Sequence, residues 1–269
     1  MAELRGAEIS MVFQNPMTSL NPSMRIGRQV QEPVEVHDKS VSQTDLDALA
    51  IKMLEEVGIP NPPLRTTQYP HEFSGGMRQR AVIAMALSGE PSVLVADEPT
   101  TALDVTVQAQ IVSVLRELSR KRNVASIVIT HDLGLVAELV DRVMVMYAGR
   151  IVEETQVADL FNKPAHPYTR ALLRSRPTAT EAAHPDQRHK DKFVVSGSPP
   201  DPANIPSGCG FRLRCPLATE ICAQKRPELQ TVSGRGHQVA CHFGDDLTSL
   251  DALSTLQTAE LQPQESKQL

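Results

Sequence analysis

An acidic pair directly follows an apolar run near the middle of the sequence. Val93 to Ala96 are four consecutive apolar residues, and Asp97 and Glu98 come next. Open α/β sheets bind ligands at the carboxyl ends of their strands, so two acids at this position can take separate tasks. One carboxylate can hold Mg²⁺ and the other can orient or deprotonate a hydrolytic water. The alternative interpretation is a buried strand that ends in an exposed acidic turn.

A serine and two glycines precede a helix-compatible run in the segment HEFSGGMRQRAVIAMAL. Free backbone N–H groups at a helix N-terminus attract anions, and glycines let a ligand approach the backbone closely. Ser74, Gly75, Gly76 and Met77 therefore form a candidate anion site, with the serine hydroxyl as a further donor. The alternative is that Ser74 only caps the helix.

The order of five short motifs connects these segments. Gln14 in VFQNP comes first, FSGGM and the Asp97-Glu98 pair follow, and TALD and His131 come last. This order and spacing resemble the nucleotide-binding subunits of ABC transporters, whose LSGGQ signature is FSGGM here. The resemblance implies a Q-loop at Gln14, the signature motif at Ser74–Met77, the Walker B pair at Asp97-Glu98, the D-loop at Thr101–Asp104 and the switch histidine at His131.

The resemblance also implies the fold, the cofactors and a role for each residue. The fold would be the α/β, P-loop-NTPase-like domain of ABC ATPases, and the cofactors would be ATP and Mg²⁺. Glu98 would polarise the attacking water, Asp97 would hold Mg²⁺, and Gln14 would reach both the metal and the water. His131 would contact the γ-phosphate. The signature residues would close over the nucleotide of a partner subunit, and Asp104 would couple the two sites.

A narrower resemblance concerns the cargo and the partners. VFQNPMTSLNP, YPHEFSGGMRQR, HPYTRALL and the cysteine-bearing ending look like the ATPases of oligopeptide and dipeptide importers. Such a subunit would energise peptide import from the cytoplasmic face of the cell membrane. Its partners would be a second ABC ATPase subunit, two transmembrane permeases and an extracytoplasmic peptide-binding protein. Nickel and glutathione importers share much of the pattern, so these cargoes stay as alternatives.

Charge and length argue against nucleic acid as a partner. The chain has 27 basic and 32 acidic residues, a net charge of −5, which excludes the broad positive surface of a non-specific nucleic-acid binder. The soluble ABC ATPases of DNA repair resemble this sequence in signature and Walker B motifs. In those proteins a long coiled coil separates the two sets of ATPase motifs. The stretch from Gln14 to Ser74 is too short to contain one.

A phosphate-binding loop is missing from the sequence. No GxxxxGK[ST] motif, and no Gly-Lys pair at all, occurs in the 269 residues. In the family this loop precedes the Q-loop, so we expect the first strands and the P-loop to be lacking at the amino end. We then expect open sheet edges, uncovered apolar surface and poor ATP binding by the chain as given. The alternative is a degenerate, non-hydrolysing or regulatory subunit.

Four cysteines lie near the carboxyl end, at Cys209, Cys215, Cys222 and Cys241. Their spacing, C-x5-C-x6-C-x18-C, argues against a standard zinc site, which uses C-x2–4-C pairs. Four thiolates can also hold a [4Fe–4S] cluster, for which spacing is looser, and some peptide-importer ATPases carry one in this region. Three hypotheses remain open: an iron–sulfur cluster, reduced thiols that pack a small subdomain, and zinc.

Hydrophobic periodicity predicts the elements that must position these residues. Strands are expected in EISMVF, SVLVA, VASIVIT and RVMVMY, and helices in residues 42–57, VQAQIVSVLREL and DLGLVAEL. Alternating strands and helices predict a parallel sheet with helical crossovers. We expect SVLVA to be buried on both faces, Ser42 to cap its helix, and RVMVMYAGRIVEE to form a hairpin at the sheet edge through Ala148-Gly149.

Composition divides the chain into four parts. Residues 1–175 are expected to form the partial ATPase domain, and the Pro-rich residues 176–207 a linker. Residues 208–243 form the cysteine-containing region, and residues 244–269 a polar tail for which we expect disorder rather than a short helix. No apolar run approaches the length that spans a bilayer.

Overall fold

The computed structural model describes residues 3–101, 103–175, 197–232 and 236–249. The chain divides into two compact units, Met1–Val140 and Asp141–Leu269. Among the helices that the model describes, none combines the length and the apolarity needed to cross a membrane.

A three-stranded parallel sheet organises the first unit. Its strands are β1 (Ile9–Val12), β2 (Val93–Asp97) and β3 (Ala125–Ile129), hydrogen-bonded in that order. The helices are α1 (Pro16–Ser19), α2 (Ile26–His37), α3 (Gln43–Glu56), α4 (Pro62–Arg65), α5 (Gly75–Ser88), α6 (Val105–Arg122) and α7 (Leu133–Leu139), with a 3₁₀ turn at Pro70–Glu72. Helices lie in the connections between the strands, which confirms the predicted α/β fold with helical crossovers.

Helix α3 begins as the sequence predicts. The Ser42 hydroxyl accepts a hydrogen bond from the Asp45 backbone N–H at 3.2 Å and donates to the Asp45 carboxylate at 2.7 Å. The predicted apolar face faces the core: Leu49 is half-buried, and the others are buried, namely Leu46, Met53, Leu54 and Val57. Capping and a buried stripe together fix where this helix starts and which side faces inward.

The sheet is covered on one face only by the described part of the first unit. Leu94 and Ala96 are buried in the main core, whereas Val93 and Val95 alternate with them and are half-buried. The expectation that SVLVA is buried on both faces is therefore wrong for these residues. In the register of the sheet, Met11, Val95 and Ile127 form one row, and Ile127 is 56% exposed.

The second unit contains a separate antiparallel sheet in the order β4-β5-β7-β6. Its strands are β4 (Arg142–Tyr147), β5 (Arg150–Gln156), β6 (Gln230–Val232) and β7 (His237–Val239). The helices are α8 (Val157–Asn162), α9 (Pro167–Arg174), α10 (Glu220–Gln224) and α11 (Gly244–Ser249), with a 3₁₀ turn at Arg212–Arg214.

The predicted hairpin is present, but in this second sheet. Tyr147 pairs with Arg150, and the two residues between them, Ala148 and Gly149, have φ of 47° and 75°. Two positive φ angles in succession give the tight turn that matches the twist of a two-stranded ribbon. The prediction that this hairpin edges the parallel sheet is wrong, because β5 pairs on its other side with β7 of the second unit.

Two predicted segments lie largely outside the described residues. Of the linker assigned to 176–207, residues 176–196 are not described, and of the tail assigned to 244–269, residues 250–269 are not described. The first six residues of that tail form α11, in which Leu247 is 2% exposed. A buried leucine explains why a short helix forms here despite the polar composition.

Candidate functional site

Glu98 bonds to three side chains from different parts of the first unit. The Gln14 side-chain amide donates to Glu98 Oε2 at 2.6 Å, and the Thr101 hydroxyl donates to the same oxygen at 2.7 Å. His131 Nδ1 lies 3.0 Å from Glu98 Oε1. Both carboxylate oxygens are therefore engaged.

The sheet explains why these residues meet. Gln14 follows the end of β1, Glu98 follows the end of β2, and His131 follows the end of β3. Because the three strands are parallel, their carboxyl ends share one edge of the sheet. Asp97 is the last residue of β2, pairs in register with Ile129 and is half-buried at the same edge.

The backbone of Glu98 is held in an uncommon conformation. Its φ is 44°, in the left-handed region that few residues other than glycine adopt. The Glu98 N–H donates to the Ile129 carbonyl at 2.8 Å, and the Thr101 N–H donates to the Glu98 carbonyl at 3.1 Å. These two bonds hold the Glu98 backbone in this conformation.

Hydrogen bonding lowers the pKa of the Glu98 carboxyl. The Thr101 hydroxyl contributes most, the bond to His131 comes next, and the Gln14 amide adds to both. Each donor stabilises the ionised carboxylate. Glu98 is therefore a carboxylate, not a carboxylic acid, at neutral pH.

The oxygen donors at this edge suit Mg²⁺. Within residues 3–101, 103–175, 197–232 and 236–249, no three His, Cys, Asp or Glu side chains are arranged to hold a metal ion. Mg²⁺ needs no such group, since it commonly takes one or two carboxylates and completes its shell with water and phosphate oxygens. The Asp97 carboxylate and the Gln14 side-chain oxygen are oxygen ligands of the kind that Mg²⁺ uses.

The signature residues form the start of α5 and make no hydrogen bond to the Glu98 group in the described structure. The Ser74 hydroxyl accepts from the Met77 N–H at 3.3 Å, so Ser74 does cap the helix. Asp104 caps α6 in the same way, through the Val107 N–H at 2.9 Å. Ser74 and Gly75 are exposed, which leaves them accessible from outside the first unit.

Gly76 has a packing role that sequence reasoning missed. A Cβ atom at Gly76 would lie 2.7 Å from Val107 Cγ1, whereas one at Gly75 would meet nothing closer than 3.8 Å. Gly76 therefore allows the starts of α5 and α6 to approach each other. Gly75 is the less crowded of the two glycines, because a Cβ atom there would make only an ordinary contact with Leu103 at 3.8 Å.

All four cysteines line one pocket of the second unit. Other residues of its wall include His166, Phe211 and His242. Burial raises the pKa of Cys215 to about 12 and that of Cys241 to about 11, and it also raises the pKa of Cys209. These three thiols are protonated at neutral pH unless a metal displaces the proton.

A fully buried carboxylate lies beside this pocket and has no counterpart among the sequence predictions. Glu153 of β5 accepts hydrogen bonds from the backbone N–H groups of Ala165 and His166 at 2.7 and 2.9 Å. His237 Nε2 lies 2.8 Å from the same side chain. Glu153 thus ties β7 and the segment before α9, which carries His166, to β5.

We expect Glu153→Gln to destabilise the second unit by about 3 kcal/mol, because the amide NH₂ group would replace one of the two oxygens that accept from Ala165, His166 and His237, and would leave a buried donor without an acceptor. Urea unfolding followed on a second-unit probe would measure the change. Glu154→Gln is the matched control: it is the next residue of β5, and its partner is the exposed Arg142. This control should cost no more than about 1 kcal/mol. Equal costs for the two variants would contradict the role given to Glu153.

Comparisons with known proteins bear on both units. Residues 1–101 match the family model described as ABC transporter, and residues 152–222 match the model for the C-terminal region of oligopeptide/dipeptide transporters. A dimeric ATP-binding cassette, solved in a post-hydrolysis state with ADP and phosphate bound, aligns with a TM-score of 0.52 and 25% identity. That alignment covers 58% of this chain and 66% of the solved one.

Several curated proteins are similar over most of the chain. A putative peptide import ATP-binding protein of Brucella melitensis is 50% identical over 233 residues, which is 87% of this chain and 69% of that protein. The oligopeptide transport ATP-binding protein OppD of Bacillus subtilis is 49% identical, with 87% and 63% covered. The dipeptide transport ATP-binding protein DppD of Bacillus subtilis is 47% identical, with 94% and 73% covered. The chain therefore belongs to the ATP-binding proteins of peptide-import ABC transporters.

Proposed function

We propose that this chain is the ATP-hydrolysing subunit of a peptide importer, with Glu98 as its catalytic carboxylate. The observation that carries the proposal is the convergence of Gln14, Glu98 and His131 at the carboxyl edge of the parallel sheet. These are the groups that hydrolysis of a phosphoanhydride requires: a carboxylate to orient water, an amide, and an imidazole that can donate or accept. Membership in the family implies ATP and Mg²⁺.

Glu98 would act on the attacking water. Its lowered pKa keeps the carboxylate ionised, so it can accept a proton or a hydrogen bond from water. In the structure its oxygens are already bonded to Gln14, Thr101 and His131, so at least one bond must give way when water binds. We propose that the bond from Gln14 or from His131 is the one that breaks. Each of these residues follows a different strand, and each would contact the metal or the phosphate instead of Glu98.

Mg²⁺ would supply charge neutralisation of the terminal phosphates when bound with ATP. Asp97 would hold it through its carboxylate, with the Gln14 amide oxygen as a second donor. Ser74, Gly75, Gly76 and Met77 would contact the nucleotide of a second ATPase subunit, a role that the exposure of Ser74 and Gly75 supports. Asp104 would couple the two sites from the start of α6.

Removal of the Ser74 hydroxyl separates this signature role from helix capping. We expect Ser74→Ala to lower stability by about 1 kcal/mol through the lost cap and, in addition, to prevent ATP-driven dimerisation. Ser42→Ala is the matched control, since Ser42 caps α3 and both helices have 14 residues. It should cost the same stability and leave dimerisation intact.

The measurement uses an extended chain, defined as this chain with a GxxxxGK[ST]-containing segment of a peptide-import relative joined before residue 1. Size-exclusion chromatography with ATP would measure its association. Normal dimerisation of the Ser74 variant would contradict the signature role.

The names of the relatives support a proposal for the cargo, and family membership supports one for the assembly. The proteins described above are named as peptide, oligopeptide and dipeptide transport ATP-binding proteins, which favours peptides over nickel or glutathione. We propose that the chain works at the cytoplasmic face of the cell membrane with a second ATPase subunit, two permeases and an extracytoplasmic peptide-binding protein. Deleting the gene in the source organism and measuring uptake of labelled peptides, nickel and glutathione tests this. Loss of nickel or glutathione uptake alone would reject the peptide assignment.

We also propose that Cys209, Cys215, Cys222 and Cys241 hold a [4Fe–4S] cluster. All four side chains line one pocket, which supports a common ligand. The cysteine spacing differs from the C-x2–4-C pairs of zinc sites, which favours a cluster over zinc. Each thiolate of a Cys₄ cluster binds a separate iron atom. A cluster supplies one-electron chemistry or a structural cross-link; here the cysteines would join the 3₁₀ turn, α10 and the end of β7.

A further inference from the structure

Thr101 is the first residue of the D-loop assigned above, and the bond from its hydroxyl to Glu98 has no role in that assignment. The hydroxyl lies 2.7 Å from Glu98 Oε2, the same oxygen that accepts from Gln14. It is also the largest single influence that lowers the pKa of Glu98. The two other donors reach Glu98 from distant segments, whereas Thr101 reaches it from three residues along the same loop.

The backbone that leads into Thr101 is held in a turn. The Thr101 N–H donates to the Glu98 carbonyl at 3.1 Å, which closes a turn over Pro99 and Thr100. Pro99 and Thr100 are buried, and the Gln108 side chain of α6 donates to the Thr100 carbonyl at 3.1 Å. This turn holds the Thr101 hydroxyl in place against the Glu98 carboxylate.

We propose that Thr101 is a positioning residue that fixes the rotamer of Glu98 through its hydroxyl. The inference rests on the proposed function of Glu98. A carboxylate on a flexible Glu side chain samples several rotamers, and a short hydrogen bond from a rigid turn selects one of them. Thr101 holds Glu98 while Gln14 and His131 exchange their contacts for water, metal and phosphate.

The test compares three variants. Thr101→Val removes the hydroxyl and keeps the β-branched shape, Thr101→Ser keeps the hydroxyl, and Thr67→Val removes an exposed threonine hydroxyl that donates only to the Leu64 carbonyl. In the chain as given, the ¹H–¹⁵N resonance of the Gln14 side-chain amide reports whether Glu98 stays in place. We expect Thr101→Val to shift this resonance, and Thr101→Ser and Thr67→Val to leave it unchanged.

Hydrolysis gives the second readout. In the extended chain, we expect Thr101→Val to lower kcat for ATP hydrolysis about 10-fold with KM for ATP unchanged, since misplacing a catalytic group costs rate and not ground-state binding. Thr101→Ser should restore kcat. A Thr101→Val variant with an unshifted Gln14 resonance and normal kcat would overturn the inference. If Glu98→Gln also hydrolyses ATP normally, the proposed function fails with it; if Glu98→Gln is inactive, only the role of Thr101 is rejected.

Discussion

Replacing Glu98 by glutamine in the extended chain is expected to reduce ATP hydrolysis by a factor of about 1,000 and to leave ATP binding nearly unchanged. The carboxylate is the group that accepts from the attacking water, and general-base contributions of this kind are worth about 10²–10⁴ in rate. Glutamine has the same size as glutamate, but an NH₂ group replaces one of the two carboxylate oxygens. This group cannot accept a hydrogen bond from water or from the neighbouring side chains. Binding should survive, because the phosphate cradle of such ATPases lies in the P-loop and not at Glu98.

The measurements are steady-state phosphate release and equilibrium binding of a fluorescent ATP analogue. Glu35→Gln is the control: Glu35 is a carboxylate of α2 in the same unit that pairs with the exposed Arg28 at 2.9 Å. It should change neither quantity. Hydrolysis by Glu98→Gln at the wild-type rate would reject the catalytic role, and a loss of ATP binding would show that the variant disturbs the sheet edge as a whole.

The resemblance to ABC ATPases, and not the strand pattern, assigned Gln14, Glu98 and His131 to one site. The apolar run alone placed only Asp97 and Glu98 at the carboxyl end of a strand. The structure shows why the three residues meet, since each follows a strand of one parallel sheet whose carboxyl ends share an edge. The left-handed backbone of Glu98 and the bond from Thr101 were not predictable, because they depend on a turn conformation that Glu-Pro-Thr-Thr does not specify.

The second sheet shows where sequence reasoning stops. Periodicity correctly predicted the strand at 142–147 and its turn at Ala148-Gly149, which are local features. It did not show that β5 pairs with β7, about 80 residues later in the chain, because alternation marks a strand but not its partner. For the same reason the buried contact between Glu153 and His237 has no signal in either segment alone.

The apolar run before Asp97 illustrates a different limit. Four apolar residues in a row indicate that both faces of a strand are to be covered. In the described part of the first unit, the face with Leu94 and Ala96 packs in the core, while Val93 and Val95 share the other face with exposed Ile127. The apolar run therefore indicates that both faces of the strand are suited to burial. It does not identify the elements that cover each face.

Anaerobically purified chain, made with adequate iron and sulfide, is expected to be brown and to show a broad visible band that bleaches on reduction. Thiolates bound to iron absorb visible light, whereas free thiols and zinc thiolates do not. Replacing Cys209, Cys215, Cys222 or Cys241 singly by serine should remove most of the band, because each supplies one iron ligand. Burial raises the pKa of Cys215 and Cys241 well above neutrality, so these thiols should lose their protons only when metal binds.

His242→Gln is the control for the cysteine variants, since His242 shares the pocket wall but its Nε2 bonds to the Lys225 carbonyl at 3.0 Å. It should keep the colour. Iron and sulfide analysis should give about four of each per coloured chain, as [4Fe–4S] requires. Colourless protein with four titratable thiols and no iron would favour thiol packing, and colourless protein with one zinc would favour a zinc site; either result would reject the cluster. ATP hydrolysis by the extended chain should persist in every cysteine variant, because the cysteines lie in the second unit and every group proposed for hydrolysis lies in the first.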